Sequence, residues 1–423
     1  MAKGFDTLPG FRDFYPESCA VRNAIFDTWR SVAQRYGFVE YDGPVLEPTG
    51  LYTRKSGAEI VNQLFCFTDK GEREVALRPE LTPTLARLAA ARQREFKKPL
   101  RWFSIGQFFR YEKQQKGRTR EFYQFNCDIL GETSPSADAE LIALSIDVMR
   151  AFGFDETHFR IRLSDRRVWT DFAARAGLGE DSVGDFLQII DKLDRDKPEV
   201  SAEKLAALGI ALEDVRAFIA AGEPQSESLG IVRADLVARG LERFVEIDLG
   251  IVRGLAYYTG AVFEVFDIGK GMRAVAGGGR YDKLVELIGG VDMAAAGFAM
   301  GDVVIGDLIR ETPATAARLD AAVAAQSGLD LFIIVADDTK RPEALRMVQE
   351  LRDTGFRVAS PIAPAKVGKQ FQMAEEQRAH IAVVIGAEYP LVTLKNLPLR
   401  LETICRREDF DAELTRLLGG AVG

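Results

Sequence analysis

The sequence predicts an α+β protein in two parts. A mixed domain over 1–312 carries a helical insertion at about 166–243, and an α/β domain over 329–423 follows a linker at 313–328. Three observations carry this. Residues 101–131 read as two strands joined by a long charged loop. The stretch 166–243 changes to Ala, Leu, Asp and Glu at helical periods with no strong strand. Beyond 329, strands and helices alternate, the pattern of a largely parallel sheet.

A chain of 423 residues, 47% of them hydrophobic, has enough apolar material for two or three cores. No run approaches the ~18 uninterrupted apolar residues of a membrane span, and the amino end is too polar for a signal peptide, so a cytoplasmic protein is expected. The four cysteines (19, 66, 127 and 405) form no CxxC pair, which argues against a thiolate zinc site. With only two histidines, Ser/His and His-rich metal chemistry has little to work with, and no site held to a metal by protein groups alone is expected.

In chain order, Val21, Ile25, Trp29 and Val32 space an amphipathic helix over 17–36, closed by Gly37. A strand over 38–45 contains Pro44, which cannot donate to a ladder and so implies an edge or an interface. Segments 64–69 and 74–78 read as a hairpin leading to a helix over 82–95. At that junction Glu80 and Thr82 serve either as helix caps or, for Glu80, as a carboxylate for a ligand ammonium.

In the central hairpin, Tyr123, Phe125, Cys127 and Ile129 alternate with Gln124, Asn126 and Asp128, giving one apolar and one polar face. Its loop sets five cations (Arg110, Lys113, Lys116, Arg118, Arg120) against the single acid Glu112, in a chain of net charge −8. Such a patch suits either a solvated tip or a polyanion such as a nucleoside triphosphate or an RNA end. Helix 136–152 and strand 158–163 follow, and after the insertion come strands at 244–251 and 257–266. Between these, Arg253 sits near glycine, in a hairpin turn or at a close backbone approach to a ligand. Gly277-Gly278-Gly279 fits neither a dinucleotide nor a Walker loop and reads as a strand-to-helix junction. Residues 297–301 end a strand and open a helix to 310.

Together these phrases resemble the class II aminoacyl-tRNA synthetases, and specifically the histidyl family, over nearly the full length. Helix 17–36 with Pro44 is similar to the first class motif, at a dimer interface, and Phe109-Arg110-Tyr111-Glu112 to the second. The histidine-specific matches are Leu77-Arg78-Pro79-Glu80, Gln114-Gln115-Lys116-Gly117-Arg118, Val252-Arg253-Gly254-Leu255-Ala256-Tyr257-Tyr258-Thr259 with Val262-Phe263-Glu264, Gly278-Gly279-Arg280-Tyr281-Asp282, and Gly368-Lys369-Gln370-Phe371.

The resemblance implies an antiparallel-sheet catalytic domain and a C-terminal anticodon-binding domain, with ATP, Mg2+, L-histidine and tRNA(His) as partners of a homodimer. It implies Arg110 and Arg253 as catalytic cations at the α-phosphate. Arg110, Glu112, Arg118, Arg120 and Phe122 would bind ATP. Glu80, Thr82, Arg110, Gln124, Asp128, Arg253, Tyr257 and Tyr258 would bind histidine, and Lys113, Gln115 and Lys116 would touch the tRNA acceptor. Asp128 and Tyr258 would meet the two imidazole nitrogens.

Two positions depart from the pattern. Where the third motif reads Gly-x-Glu-Arg, this chain has Gly301-Asp302-Val303-Val304, and Ala256 stands where an acid is usual. The lost arginine is worth ~1 to 2 kcal/mol of stacking on adenine. The rival expectation is a non-catalytic paralogue that senses histidine as a regulatory subunit, for instance of an ATP phosphoribosyltransferase. A threonyl-type enzyme would need a zinc cluster that this composition does not supply.

Overall fold

The structure, a computed structural model, describes residues 5–54, 63–112, 117–193, 195–222, 226–253 and 257–419. Contacts divide the chain into Met1–Leu319 and Asp320–Gly423.

The strands of the first unit are β1 (Val39–Glu40), β2 (Leu46–Pro48), β3 (Phe65–Thr68), β4 (Glu74–Leu77), β5 (Leu100–Phe109), β6 (Glu121–Leu130), β7 (Phe159–Asp165), β8 (Val245–Ile247), β9 (Ala261–Asp267), β10 (Ala276–Arg280) and β11 (Ala295–Gly301). Eight of them form one sheet in the order β1-β5-β6-β11-β10-β9-β7-β8, and β2-β4-β3 form a small second one. The large sheet is antiparallel except where β1 meets β5 and β7 meets β8.

The alternation read in β6 is present, with both faces covered. Phe125, Cys127 and Ile129 are buried, and Trp29 from helix Pro16–Arg35 stacks on Phe125 at 5.5 Å with the rings 10° from parallel. Losing a ring so enclosed costs ~3–5 kcal/mol. Asn126 and Asp128 on the opposite face are also buried, at 5% exposure each, and buried polar groups of this kind require hydrogen-bond partners.

The strand expected at 38–45 is shorter than its pattern. β1 keeps two residues, paired in parallel with β5, and Pro44 falls in the break before β2. Without an N–H it cannot continue the ladder. The insertion is helical as expected: helices Arg166–Arg175, Glu180–Asp191, Pro198–Ala207, Leu212–Ala220 and Glu227–Ala238. Trp169, Phe186 and Val215 form the centre of its own apolar core.

The stretch 313–328 is mostly helix, Pro313–Gln326, in keeping with its run of alanines, the best helix formers. In the second unit, β12 (Leu331–Val335), β13 (Val358–Ala359), β14 (Ile381–Ile385), β15 (Leu391–Asn396) and β16 (Leu401–Arg406) lie in the order β13-β12-β14-β15-β16. Only the β13-β12-β14 part is parallel; β15 and β16 run antiparallel, so the expectation of a largely parallel sheet is corrected. The connections at 386–390 and 397–400 are too short for a crossover helix, and short connections make hairpins. In the Gly368-Lys369-Gln370-Phe371 phrase, Gln370 is a structural latch. Its amide donates to Val335 O and Ala365 O and accepts from Val335 N.

Candidate active site

The polar face of β6 looks onto a floor of small residues. Register sets Gln124 opposite Gly301 and Gly106, Asn126 opposite Ala299 and Ser104, and Asp128 opposite Gly297. The triple glycine expected to form a strand-to-helix junction lies inside strand β10 instead, because its strand pairing on both sides leaves room only for hydrogen. A Cβ on Gly277 would overlap Arg253 Nη1, and one on Gly297 would overlap Asp128 Oδ1. One on Gly279 would meet Tyr258 Cδ1 at 2.9 Å. These glycines let functional side chains lie flat across the sheet.

The first cluster over this floor is closed and polar. Glu80 is 7% exposed, and Tyr257 donates its hydroxyl to Glu80 Oε2 at 2.8 Å. The helix behind it starts at Thr82 with Leu81 as its N-cap and no side-chain cap, so of the two readings of Glu80 the capping one is not realised. Thr82 hydrogen-bonds with Tyr257. Tyr281 donates to Asp128 Oδ1 at 2.5 Å. Burial pushes the Asp128 carboxyl up to about 7, and the Tyr281 hydrogen bond opposes that only in part. Tyr258 stands 5.1 Å from the Tyr257 ring, within the field of Asp128 and Glu80, and burial raises its phenol.

Arg253 closes this cluster. Its φ of +58° is left-handed, a conformation that costs free energy in a non-glycine residue and is kept where the surroundings require it. Nη1 donates to Glu264 Oε1 at 2.9 Å, and the guanidinium lies 5.8 Å from the Tyr258 ring centroid.

The second cluster is cationic and more open. Arg110, just past β5, donates from Nε to Pro79 O at 3.0 Å, tying the hairpin base to the Glu80 segment. Its guanidinium sits 5.2 Å over Phe122, which lies beside Phe108. Arg118 pairs with Glu112 at 2.5 Å, and Arg120 stacks 4.3 Å over Tyr111 while donating to Glu112 O. Gln124 lies between the two clusters on the β6 face. Lys113, Gln115 and Lys116, together with Gly254, Leu255 and Ala256, lie outside the described residues.

Several contributors had no role expected from the sequence. Arg78, 2% exposed, lies over Gly106 on the same face of the sheet as Gln124, stacks 4.9 Å from Phe108 and pairs with Asp42 at 2.7 Å. Tyr281 and Glu264 lay in quoted phrases without a role of their own. At the altered third motif, Asp302 accepts from Arg12 Nη2 at 2.9 Å and from the Tyr123 amide at 2.8 Å. Opening a helix, it also meets the favourable end of the macrodipole. Nothing in the sequence pairs position 12 with position 302.

The histidyl-tRNA synthetase family model matches residues 10–301, and the anticodon binding domain model matches 330–399. A histidine–tRNA ligase of Opitutus terrae is 43% identical, covering 96% of this chain and 97% of that one. The crystal structure of histidyl-tRNA synthetase from Nostoc is 25% identical with a TM-score of 0.77, covering 98% and 99%. A Bacillus halodurans structure described as an ATP phosphoribosyltransferase regulatory subunit/histidyl-tRNA synthetase shares the fold, at 21% identity and a TM-score of 0.69 over 92% and 100%. With a family model over residues 10–301 and a relative 43% identical over nearly the whole length of both chains, the chain belongs to the histidyl-tRNA synthetase family.

Proposed function

We propose that this chain is a histidine–tRNA ligase. It joins histidine to ATP, releasing pyrophosphate, and then passes the histidyl group to the 3′-terminal ribose of tRNA(His), releasing AMP. The carrying observation is that the closed polar cluster and the arginine cluster share one wall, through the Arg110–Pro79 hydrogen bond.

A histidine carboxylate oxygen attacks the α-phosphorus and the bond to the β-phosphate oxygen breaks. Two anions must approach, so the chemistry asks for flanking cations rather than a protein nucleophile. Arg110 serves one side and Arg253 the other. Glu80, Thr82 and Gln124 take the ammonium, Asp128 and Tyr258 take the imidazole nitrogens, and Tyr257 orients Glu80. Glu112 takes the adenine amino group, Phe122 stacks on the base, and Arg118 and Arg120 take the outer phosphates. The Glu112–Arg118 pair opens to admit them.

Mg2+ enters with the nucleotide and supplies further charge neutralisation. The ion would be bound through the nucleotide's phosphates and water. The second unit reads the anticodon, and Lys113, Gln115 and Lys116 meet the acceptor end. For a homodimer, exposed Val39, Val45 and Leu46 along β1 and β2 offer apolar surface, whereas helix Pro16–Arg35 already uses Ile25, Trp29 and Val32 within the chain. Among the described residues no helix is long and apolar enough to cross a membrane, and the cytoplasm is the proposed compartment.

Val304 and Ala256 favour a second reading, a histidine-sensing subunit without catalysis. The presence of Arg110, Arg253, Glu80 and Gln124, and of an anticodon-binding domain, supports the enzyme. Histidine-dependent ATP–pyrophosphate exchange decides between them. Exchange with histidine alone among the amino acids is expected, and histidine binding without any exchange in folded protein would leave the sensor.

A further inference from the structure

Asp128 enters the closed cluster with a soft end, since rotation about its Cβ–Cγ bond is broad and roughly two-fold. Its place on β6 therefore does not say which oxygen it presents. Two contacts decide. Gly297, its register partner on β11, has no side chain, and a Cβ there would overlap Oδ1, so that oxygen lies flat against the sheet. The Tyr281 hydroxyl donates to the same oxygen at 2.5 Å. Among the described residues no group donates to Oδ2. In a buried carboxyl, an oxygen without a donor is costly, and it is where a ligand N–H gains most.

Tyr281 is itself fixed through both neighbours. It follows directly on β10, is buried, and sets its ring 6.0 Å from that of Tyr257. Its amide donates to Ala295 O at 2.7 Å. On one side, buried Arg280 donates from Nη2 to Asp138 Oδ2 at 2.7 Å, on helix Ser136–Phe152, and from Nη1 to Glu132 O at 2.9 Å. On the other, the Asp282 amide donates to Thr259 Oγ1 at 3.1 Å, and the Asp282 carboxylate accepts from the Ala295 amide at 3.2 Å. A ring so placed would pack equally well as phenylalanine. The hydroxyl is the part that reaches Asp128.

We propose that Tyr281 is a positioning residue for the ring end of the pocket: its hydroxyl fixes Oδ1 of Asp128 against the sheet and so turns Oδ2 toward a ring nitrogen of the bound amino acid. The inference rests on the reading of Asp128 as an imidazole-binding group. It makes the two phenols of the cluster parallel in purpose, Tyr257 holding Glu80 for the ammonium and Tyr281 holding Asp128 for the ring.

The test uses the full chain in histidine-dependent ATP–pyrophosphate exchange, with Tyr281→Phe, Asp128→Ala, the double variant, and Gly297→Ala. Tyr281→Phe is expected to raise KM for histidine about 5- to 30-fold, the loss of one hydrogen bond to a buried partner. Inhibition by histidinol, which keeps the ring and amine but has no carboxylate, should weaken by the same factor, while kcat and KM for ATP stay within about twofold. Asp128→Ala should cost more, and adding Tyr281→Phe to it should then change histidine KM by no more than about twofold, because the hydroxyl acts only through that carboxyl. Gly297→Ala, whose methyl takes the space of Oδ1, should raise histidine KM with Tyr281 intact. An unchanged histidine KM in Tyr281→Phe, factors that multiply in the double variant, or an equal rise in KM for ATP in variants that melt like the parent would overturn the proposal. If the chain binds histidine without exchange, the same factors are read from dissociation constants. Absence of both exchange and histidine binding in the folded, unsubstituted chain would instead sink the reading beneath it.

Discussion

The two halves of the site are built on opposite plans. In the half proposed for the amino acid, the carboxylates are buried and engaged, Glu80 by Tyr257 and Asp128 by Tyr281, and the partly buried Arg253 pairs with Glu264. In the nucleotide half, Arg110 and Arg120 lie on aromatic faces, and Arg118 holds an acid near the surface. The difference fits what each is proposed to recognise. A small zwitterion with two ring nitrogens is told apart by hydrogen bonds that no water can replace, which needs a dry, fixed pocket. A triphosphate is told by charge, and stacked arginines supply charge without a rigid cage.

The comparison breaks most visibly at Arg253, which belongs to the pocket by contact and, as proposed, to the phosphate by role. Arg253→Ala should lower the rate of histidine activation by about 10²–10³, while KM for histidine shifts far less. Gly277→Ala should reproduce much of this without touching the arginine, because the new methyl takes the space of Nη1. Equal losses in rate and histidine affinity would place Arg253 in substrate binding alone.

A smaller effect separates the halves directly. Glu80→Gln leaves the shape of the pocket but removes the charge proposed to face the ammonium, so histidine KM should rise about 10- to 100-fold with ATP KM unchanged. Steady-state exchange kinetics with each substrate varied would show it. Parallel rises in both constants would mean that the pocket and the hairpin act as one unit.

The smallest effect concerns stability. Unfolded, Asp128 loses its proton near the ordinary carboxyl value of about 4; folded, burial holds the proton until about 7. The unfolded state therefore sheds the proton first, and this group's contribution to stability falls as pH rises from about 4 to about 7, then levels. Asp128→Asn removes that slope. Melting temperatures of the two proteins should diverge by a few degrees across this interval, with the variant gaining on the parent, and parallel curves would contradict a neutral buried Asp128.

Much of this was legible in the chain. The two strands around the loop, the helical insertion and the final alternating part follow from local periodicity, and the residues of both clusters came from short phrases. Asp128 and Glu80 stood out as candidates in the sequence, but not as buried partners of Tyr281 and Tyr257. The β14-β15-β16 order escaped because a β-α alternation predicts parallel pairing until a short connection forbids it. Gly277-Gly278-Gly279 looked like a turn because glycine is read by its freedom, whereas here it is used for its missing side chain.

By itself, then, the sequence determined which chemical groups are available and in which local elements they sit, since helix and strand periods and motif spacing act over a few residues. Tertiary structure alone decided their neighbours. Arg12 meets Asp302 across 290 positions, and Tyr281 meets Asp128 across 153. Such contacts depend on how strands pair across the sheet, a property of the closed fold that no local preference encodes.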